Sequence, residues 1–149
     1  MAQSGIPVND ECKKTFFEEL KDKPKGKPRL KYIIFKLNKT QTEIVIDKVS
    51  TEANYESFLN DLPENEYRWA VYDFEYDLGD EGKRNKIIFI SWAPDKAGLK
   101  IREKMTYSSS KAALSQALEG NGFPQVHATD FDELTEEELF RKAEPNRRR

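Results

Sequence analysis

The stretch Leu99-Lys-Ile-Arg-Glu-Lys-Met-Thr-Tyr-Ser-Ser-Ser-Lys-Ala-Ala-Leu-Ser-Gln-Ala-Leu-Glu119 is predicted to form one long helix. At about 100° per residue, one group of its apolar side chains falls on a single side. A group of this width is typical of a helix face that packs on a protein core. This core face consists of Tyr107, Leu114, Ala117 and Leu118.

A second group of apolar side chains lies on the opposite side of the same helix, because Met105 is about 180° from Leu114. It is accompanied by Ile101 and Ala112 and flanked by Arg102 and Lys104. Burying unpaired charges is costly, so the flanking cations argue against a helix that is buried all round. We therefore predict that this outer face is displayed to a partner.

Length and composition favour a single domain over residues 1–149, with 37% hydrophobic residues and a net charge of -2. So small a net charge does not select nucleic acid or a membrane surface as the partner. No apolar run approaches the roughly 18 residues of a membrane span, and the first residues do not have the pattern of a signal peptide. A single cysteine, Cys12, cannot form an internal disulfide, which predicts a reducing, cytoplasmic location.

Apolar periodicity and turn residues predict the order helix, hairpin, helix, hairpin, long helix, strand, helix. The simplest architecture consistent with this order is α/β of the α+β type, with a mixed central sheet of about five strands flanked by helices. The sequence predicts a mobile arm at 1–8 and a loose basic tail at 145–149. Strands are predicted at 30–37, 42–49 (more exposed, at a sheet edge), 66–78, 86–92 and 123–129.

Candidates for catalysis are few. His127 is the only histidine and is predicted to be a structural or surface residue, since no zinc-type spacing surrounds it. Asp73, Glu75 and Asp77 alternate along a strand and resemble an acid–base or metal cluster, but the polar face of an amphipathic strand is the favoured interpretation. The basic segment 21–31 is interpreted as a solvated connector in preference to a nuclear-import or anionic-lipid patch. These patterns favour a binding protein over an enzyme, and they contain no metal-ligand spacing.

The sequence resembles the actin-depolymerising factor/cofilin family over essentially its whole length. The residues Arg102-Glu-Lys-Met-Thr-Tyr-Ser-Ser-Ser-Lys111 come close to the family's basic-x-Lys-Met-x-Tyr-x-Ser-Ser-Lys signature. Tyr72–Tyr76, Trp92–Asp95 and the opening Ser4-Gly5 add to the match. The resemblance implies a mixed sheet with flanking helices and no cofactor. It also implies binding to monomeric and filamentous actin, filament severing and depolymerisation, and residence at the cytoplasmic actin cytoskeleton.

Two surfaces follow from this resemblance. The main surface, expected to bind both monomer and filament, consists of Ser4, Gly5, Arg102, Lys104, Met105 and Ser109. The filament-only surface consists of Arg84 and Lys86, in the turn before a core strand, and of Arg141 and Lys142 in the C-terminal helix. The resemblance also makes Ser4 a candidate phosphorylation site.

Two alternatives stay open at this point. One is a phosphoinositide-binding peripheral module that uses segment 21–31 together with Arg102 and Lys104; the resemblance makes such lipids competitors of actin. The other is an enzyme built on Asp73, Glu75 and Asp77. The sequence predicts a monomer and leaves entry into the nucleus undecided.

Overall fold

The computed structural model describes residues 6–22, 24–95, 98, 100–118 and 122–147. Ser4 and Gly5 of the main surface therefore lie outside the described residues. So do Leu99 and Glu119, the two ends of the predicted long helix, and Gly120 and Asn121, part of its predicted stop signal.

The centre of the fold is a five-stranded sheet with the strand order β2-β1-β3-β4-β5. The pairs β1–β2, β1–β3 and β3–β4 are antiparallel, and β4–β5 is parallel, so the predicted mixed sheet is confirmed. β2 lies at one edge, as its more exposed pattern predicted. The strands are β1 Tyr32–Leu37, β2 Ile44–Ser50, β3 Arg68–Asp77, β4 Lys83–Trp92 and β5 Gln125–Ala128.

The helices occur in the predicted order between these strands. Asn9, Asn54 and Thr135 each begin a helix, because their side-chain oxygens accept a hydrogen bond from a backbone N–H of the first turn. The helices are α1 Asp10–Thr15, which continues as a π-helix over Phe16–Lys21, α2 Tyr55–Asp61, α3 Ile101–Ala117 and α4 Glu136–Ala143. Short 3-10 turns occupy Gly79–Glu81 and Phe131–Leu134.

Each face of the sheet carries its own apolar core. On one face, α2 and α4 pack on alternate residues of β3 and β4 through Phe58, Leu62, Leu139, Phe140 and Ala143. On the other, α1 and α3 pack through Cys12, Phe16, Leu20, Leu114 and Leu118. Because both faces are covered, the central strands read as near-continuous apolar runs.

The predictions for the two ends of the chain, a mobile arm at 1–8 and a loose tail at 145–149, are wrong in part. Residues 6–8 do not belong to a mobile arm: Val8 bridges to Ile44, the Ile44 amide donates to the Pro7 carbonyl at 3.0 Å, and Ile6 packs against the second core. Arg147 does not belong to a loose tail, because its guanidinium lies 2.7 Å from a Glu81 carboxylate oxygen. In both places a contact with a residue distant in the sequence orders the segment.

The position of Arg84 also differs from the prediction. The antiparallel pairing of β3 and β4 extends from Arg68↔Trp92 to Asp77↔Lys83, so Arg84 lies in the strand opposite Tyr76 and not in the preceding turn. The turn is shorter than expected because Gly79 and Gly82 adopt left-handed backbone angles, with φ of 69° and 85°.

The polar face predicted for β3 is exposed only in part. Asp73 is 3% exposed; it pairs with Arg29 and accepts a hydrogen bond from Asn85 at 2.8 Å. Glu75 is exposed and pairs with Lys31 at 3.3 Å. The basic segment 21–31 therefore does more than connect two elements, since its last residues neutralise carboxylates of β3.

Candidate functional site

The outer face of α3 is exposed, as predicted. Ile101 and Met105 are 77% and 65% exposed, whereas Leu114 on the opposite side is fully buried. Arg102 and Lys104 are exposed beside them. Ile101 and Met105 form an exposed apolar group bordered by cations, which makes this face the candidate binding surface.

One local contact and two contacts with other elements hold the first turns of α3 in place. The Glu103 carboxylate accepts from the Lys100 amide at 3.2 Å and from the Gln41 side-chain amide at 3.3 Å. One turn further on, the Tyr107 ring packs on Trp69, with centroids 5.0 Å apart. Burial raises the pKa of Tyr107, so its hydroxyl stays neutral. The segment that carries Met105 is thus held in place before any partner arrives.

The cations of this face have no acidic partner among the described residues. Over the described ranges, neither Arg102 nor Lys104 forms an ion pair, and the intervening Glu103 is engaged by Gln41 and the Lys100 amide. Ser109 follows Met105 by four residues and is exposed on the same side. The structure therefore brings together the four described members of the main surface.

The filament-only surface is more closely connected to the fold than the sequence suggested. Lys86 Nζ donates to the Ala143 carbonyl at the end of α4, at 2.6 Å. Arg84 donates to the Glu81 carbonyl at 2.8 Å. On α4, Arg141 pairs with Glu138 at 2.9 Å, and Lys142 is exposed. The hairpin end and α4 thus meet, and α4 covers the sheet face opposite to α3.

Sequence reasoning missed a groove of about 410 Å³ beside α3. Its floor is a cross-strand row in which Trp69 pairs with Ser91 and Ser91 pairs with His127. His127 is exposed, as predicted. The α3 side of the groove consists of Lys104, Tyr107, Ser108 and Lys111. The helical spacing of these four was visible in the sequence, but the distant strand residues opposite them were not.

The candidates for catalysis are already engaged in structural contacts. Asp73 is neutralised by Arg29, and Asp77 accepts a hydrogen bond from the Gly79 amide at 2.7 Å. Burial raises the pKa of the Cys12 thiol to about 12, which keeps it protonated and unreactive. Among the residues that the structure describes, no group of three or more His, Cys, Asp or Glu could hold a metal ion. Nor does any described helix have the length and apolar character needed to cross a bilayer.

Comparison with known proteins gives consistent matches along the chain. A sequence model of the cofilin/tropomyosin-type actin-binding protein family matches residues 5–144. Cofilin of Schizosaccharomyces pombe is 51% identical over 142 residues, covering 95% of this chain and 97% of its own length. Cofilin of Ogataea parapolymorpha is 50% identical over 143 residues, covering 95% and 94%. The crystal structure of Streptomyces griseoflavus cofilin superposes with a TM-score of 0.79 at 46% identity, covering 96% of this chain and 100% of that one.

The mixed sheet, the helices on its two faces and the displayed face of α3 define a domain of the actin-depolymerising factor and cofilin fold. The chain belongs to the cofilin/tropomyosin-type family of actin-binding proteins.

Proposed function

We infer that this chain binds monomeric and filamentous actin and promotes the severing and depolymerisation of filaments. Family membership supports this function. The observation that carries it is the outer face of α3, where Met105 is 65% exposed between two cations that form no ion pair with a described residue. The chain acts by binding, without chemistry of its own, as a monomer at the cytoplasmic actin cytoskeleton. The monomeric state agrees with the small number of large apolar side chains exposed in the described residues, Val49, Ile101 and Met105.

The main surface combines an apolar anchor with a charged rim. Met105 enters a cleft of actin and loses contact with water, whereas Arg102 and Lys104 surround it. Hot spots of protein interfaces have this organisation, with a dry centre and a polar periphery. The cations also attract acidic actin and accelerate association.

Severing follows from the use of two surfaces. The filament-only surface and the main surface contact the filament together, and they fit one filament twist better than another. A ligand with this preference shifts the filament toward the favoured twist by its differential affinity. Boundaries between decorated and bare segments are then mechanically weak, and filaments break there.

Cosedimentation with filamentous actin, combined with a fluorescence assay of monomer binding, tests the proposed function. Wild-type protein is expected to pellet with filaments and to bind monomers. A chain that binds neither form, while retaining its far-UV circular dichroism, would refute the proposal.

The filament-only surface gives a separable prediction. We expect Arg84→Ala to weaken filament binding by about tenfold, the loss typical of one charged contact, and to leave monomer binding unchanged. Arg84→Ala also removes a hydrogen bond to the Glu81 carbonyl, and Lys86→Ala removes one to the Ala143 carbonyl. A thermal melt must therefore accompany each variant. Equal losses of monomer and filament binding by Arg84→Ala would contradict the assignment of two surfaces.

Ser4, which lies outside the described residues, is proposed as an off-switch. Phosphorylation adds about -1.5 to -2 charges at pH 7, which can pair with Arg102 and Lys104 and repel acidic actin. We expect Ser4→Glu to lose most actin affinity and Ser4→Ala, the control, to keep it. A glutamate variant that binds as tightly as wild type would exclude the switch.

Phosphoinositide lipids are a second candidate ligand, and we propose that they compete with actin for the main surface. Segment 21–31 is the weaker site, because Lys27, Arg29 and Lys31 are paired with Glu19, Asp73 and Glu75. Arg102 and Lys104 are exposed and form no ion pair with a described residue, so they are the stronger candidates to bind a headgroup. Vesicles that contain the lipid should therefore release actin from the wild-type chain.

A further inference from the structure

A cluster of polar contacts at the end of α4 joins this helix to the β3–β4 hairpin. Its centre is the carboxylate of Glu144, the residue directly after α4. The Tyr76 hydroxyl on β3 donates to Glu144 Oε2 at 2.5 Å, and Lys86 Nζ on β4 lies 3.8 Å from the same oxygen. Arg147 Nε lies 3.3 Å from Oε1. One carboxylate therefore contacts both strands of the hairpin and the segment that follows α4.

Two further contacts close the cluster on either side. Lys86 donates to the Ala143 carbonyl at 2.6 Å, which satisfies an acceptor at the helix end and places a cation at the negative end of the helix dipole. Arg147 donates to Glu81 Oε1 at 2.7 Å, in the turn of the hairpin. The end of α4 is thus connected to the hairpin at three levels: β3, β4 and the turn between them.

Ordinary surface ion pairs contribute little, and the cations of this cluster are themselves exposed, Lys86 by 45% and Arg147 by 38%. Only the Tyr76–Glu144 contact at its centre is partly buried. The Glu144 side chain is 20% exposed, and Tyr76 is 5% exposed. The Tyr76 hydrogen bond, together with Lys86 and Arg147, holds the pKa of Glu144 below its usual value. A hydrogen bond to an ionised carboxylate is stronger than one between neutral groups, so the Tyr76–Glu144 contact anchors the cluster.

We propose that Glu144 is a positioning residue for the filament-only surface, an inference that rests on the proposed function. Arg84 and Lys86 belong to the hairpin, whereas Arg141 and Lys142 belong to α4, and Glu144 holds these two elements in one arrangement. A surface that is already arranged pays less ordering entropy when it binds. Glu144 therefore acts on filament affinity through the four cations and not by contacting actin.

Two variants disturb the cluster by different means. Glu144→Gln keeps the size of the side chain and removes its charge, whereas Tyr76→Phe removes the hydroxyl and leaves every charge in place. Asp80→Asn is the matched control, because Asp80 is exposed in the same hairpin turn and forms no ion pair with a described residue. Filament cosedimentation, monomer binding and backbone amide hydrogen exchange are measured for all of them. The informative amides are those of Glu144 and Arg147, which donate to the Phe140 and Glu144 carbonyls.

Both variants are expected to weaken filament binding by about three- to tenfold, the loss of one hydrogen bond. Monomer binding should stay unchanged and exchange at the two amides should accelerate, whereas Asp80→Asn should match wild type in all three assays. Weaker filament binding by Glu144→Gln alone would indicate a direct charge effect and overturn the inference. Unchanged amide exchange, or faster exchange with unchanged filament affinity, would also overturn it. Failure of the wild-type chain to bind filaments would refute the proposed function and, with it, this role of Glu144, while the exchange data would still report on the cluster.

Discussion

Simultaneous substitution of Arg102 and Lys104 by alanine is expected to abolish binding to both actin monomers and filaments. Each cation borders Met105, and neither is engaged elsewhere in the described residues. Truncation of a hot-spot residue costs about 2 kcal/mol or more, so the pair should weaken affinity by more than about a hundredfold. Cosedimentation and a monomer fluorescence assay measure the loss.

The fold should tolerate this double substitution, because both side chains are exposed and hold no other element in place. An unchanged melting temperature would show that the loss of affinity results from missing contacts with actin and not from unfolding. The matched control is Lys13→Ala with Lys14→Ala, which removes two exposed cations from α1 and should leave binding intact. A double variant that still binds monomers as wild type does would exclude α3 as the main surface.

Leu114→Ala should destabilise the protein by about 2–5 kcal/mol, the usual range for a fully buried leucine. Leu114 is 0% exposed and packs with Leu118 in the core between α3 and the sheet, so its truncation leaves a cavity. For a domain of this size, the melting temperature should fall by roughly 10 °C. Chemical denaturation measures the free energy of unfolding directly.

Met105→Ala, on the opposite side of the same helix, should weaken actin binding and leave the stability of the fold almost unchanged. Its side chain is 65% exposed, so stability should change by less than about 0.5 kcal/mol. Actin affinity should fall by about thirtyfold if Met105 is an interface anchor. If Met105→Ala proves to be the more destabilising variant, the two faces of α3 have been assigned the wrong way round.

Local patterns predicted a large part of the fold and the two faces of α3. The two faces of α3 follow from side-chain spacing within a single helix, which depends on helix geometry alone. The same holds for the order of elements, since strand alternation and capping residues such as Asn9 and Thr135 act over a few positions. The sequence alone therefore specified an exposed Met105 opposite a buried Leu114.

Contacts between residues distant in the sequence could be identified only in the tertiary structure. The burial of Asp73 requires Arg29, 44 residues away, and the bond from Lys86 to the Ala143 carbonyl spans 57. The position of Arg84 depends on the register of β3 and β4, and strand register results from packing over the whole sheet. Helix and strand periodicity carry no information about which distant segments meet. That is why the sequence specified the face of α3, whereas the cluster around Glu144 emerged only once the chain was folded.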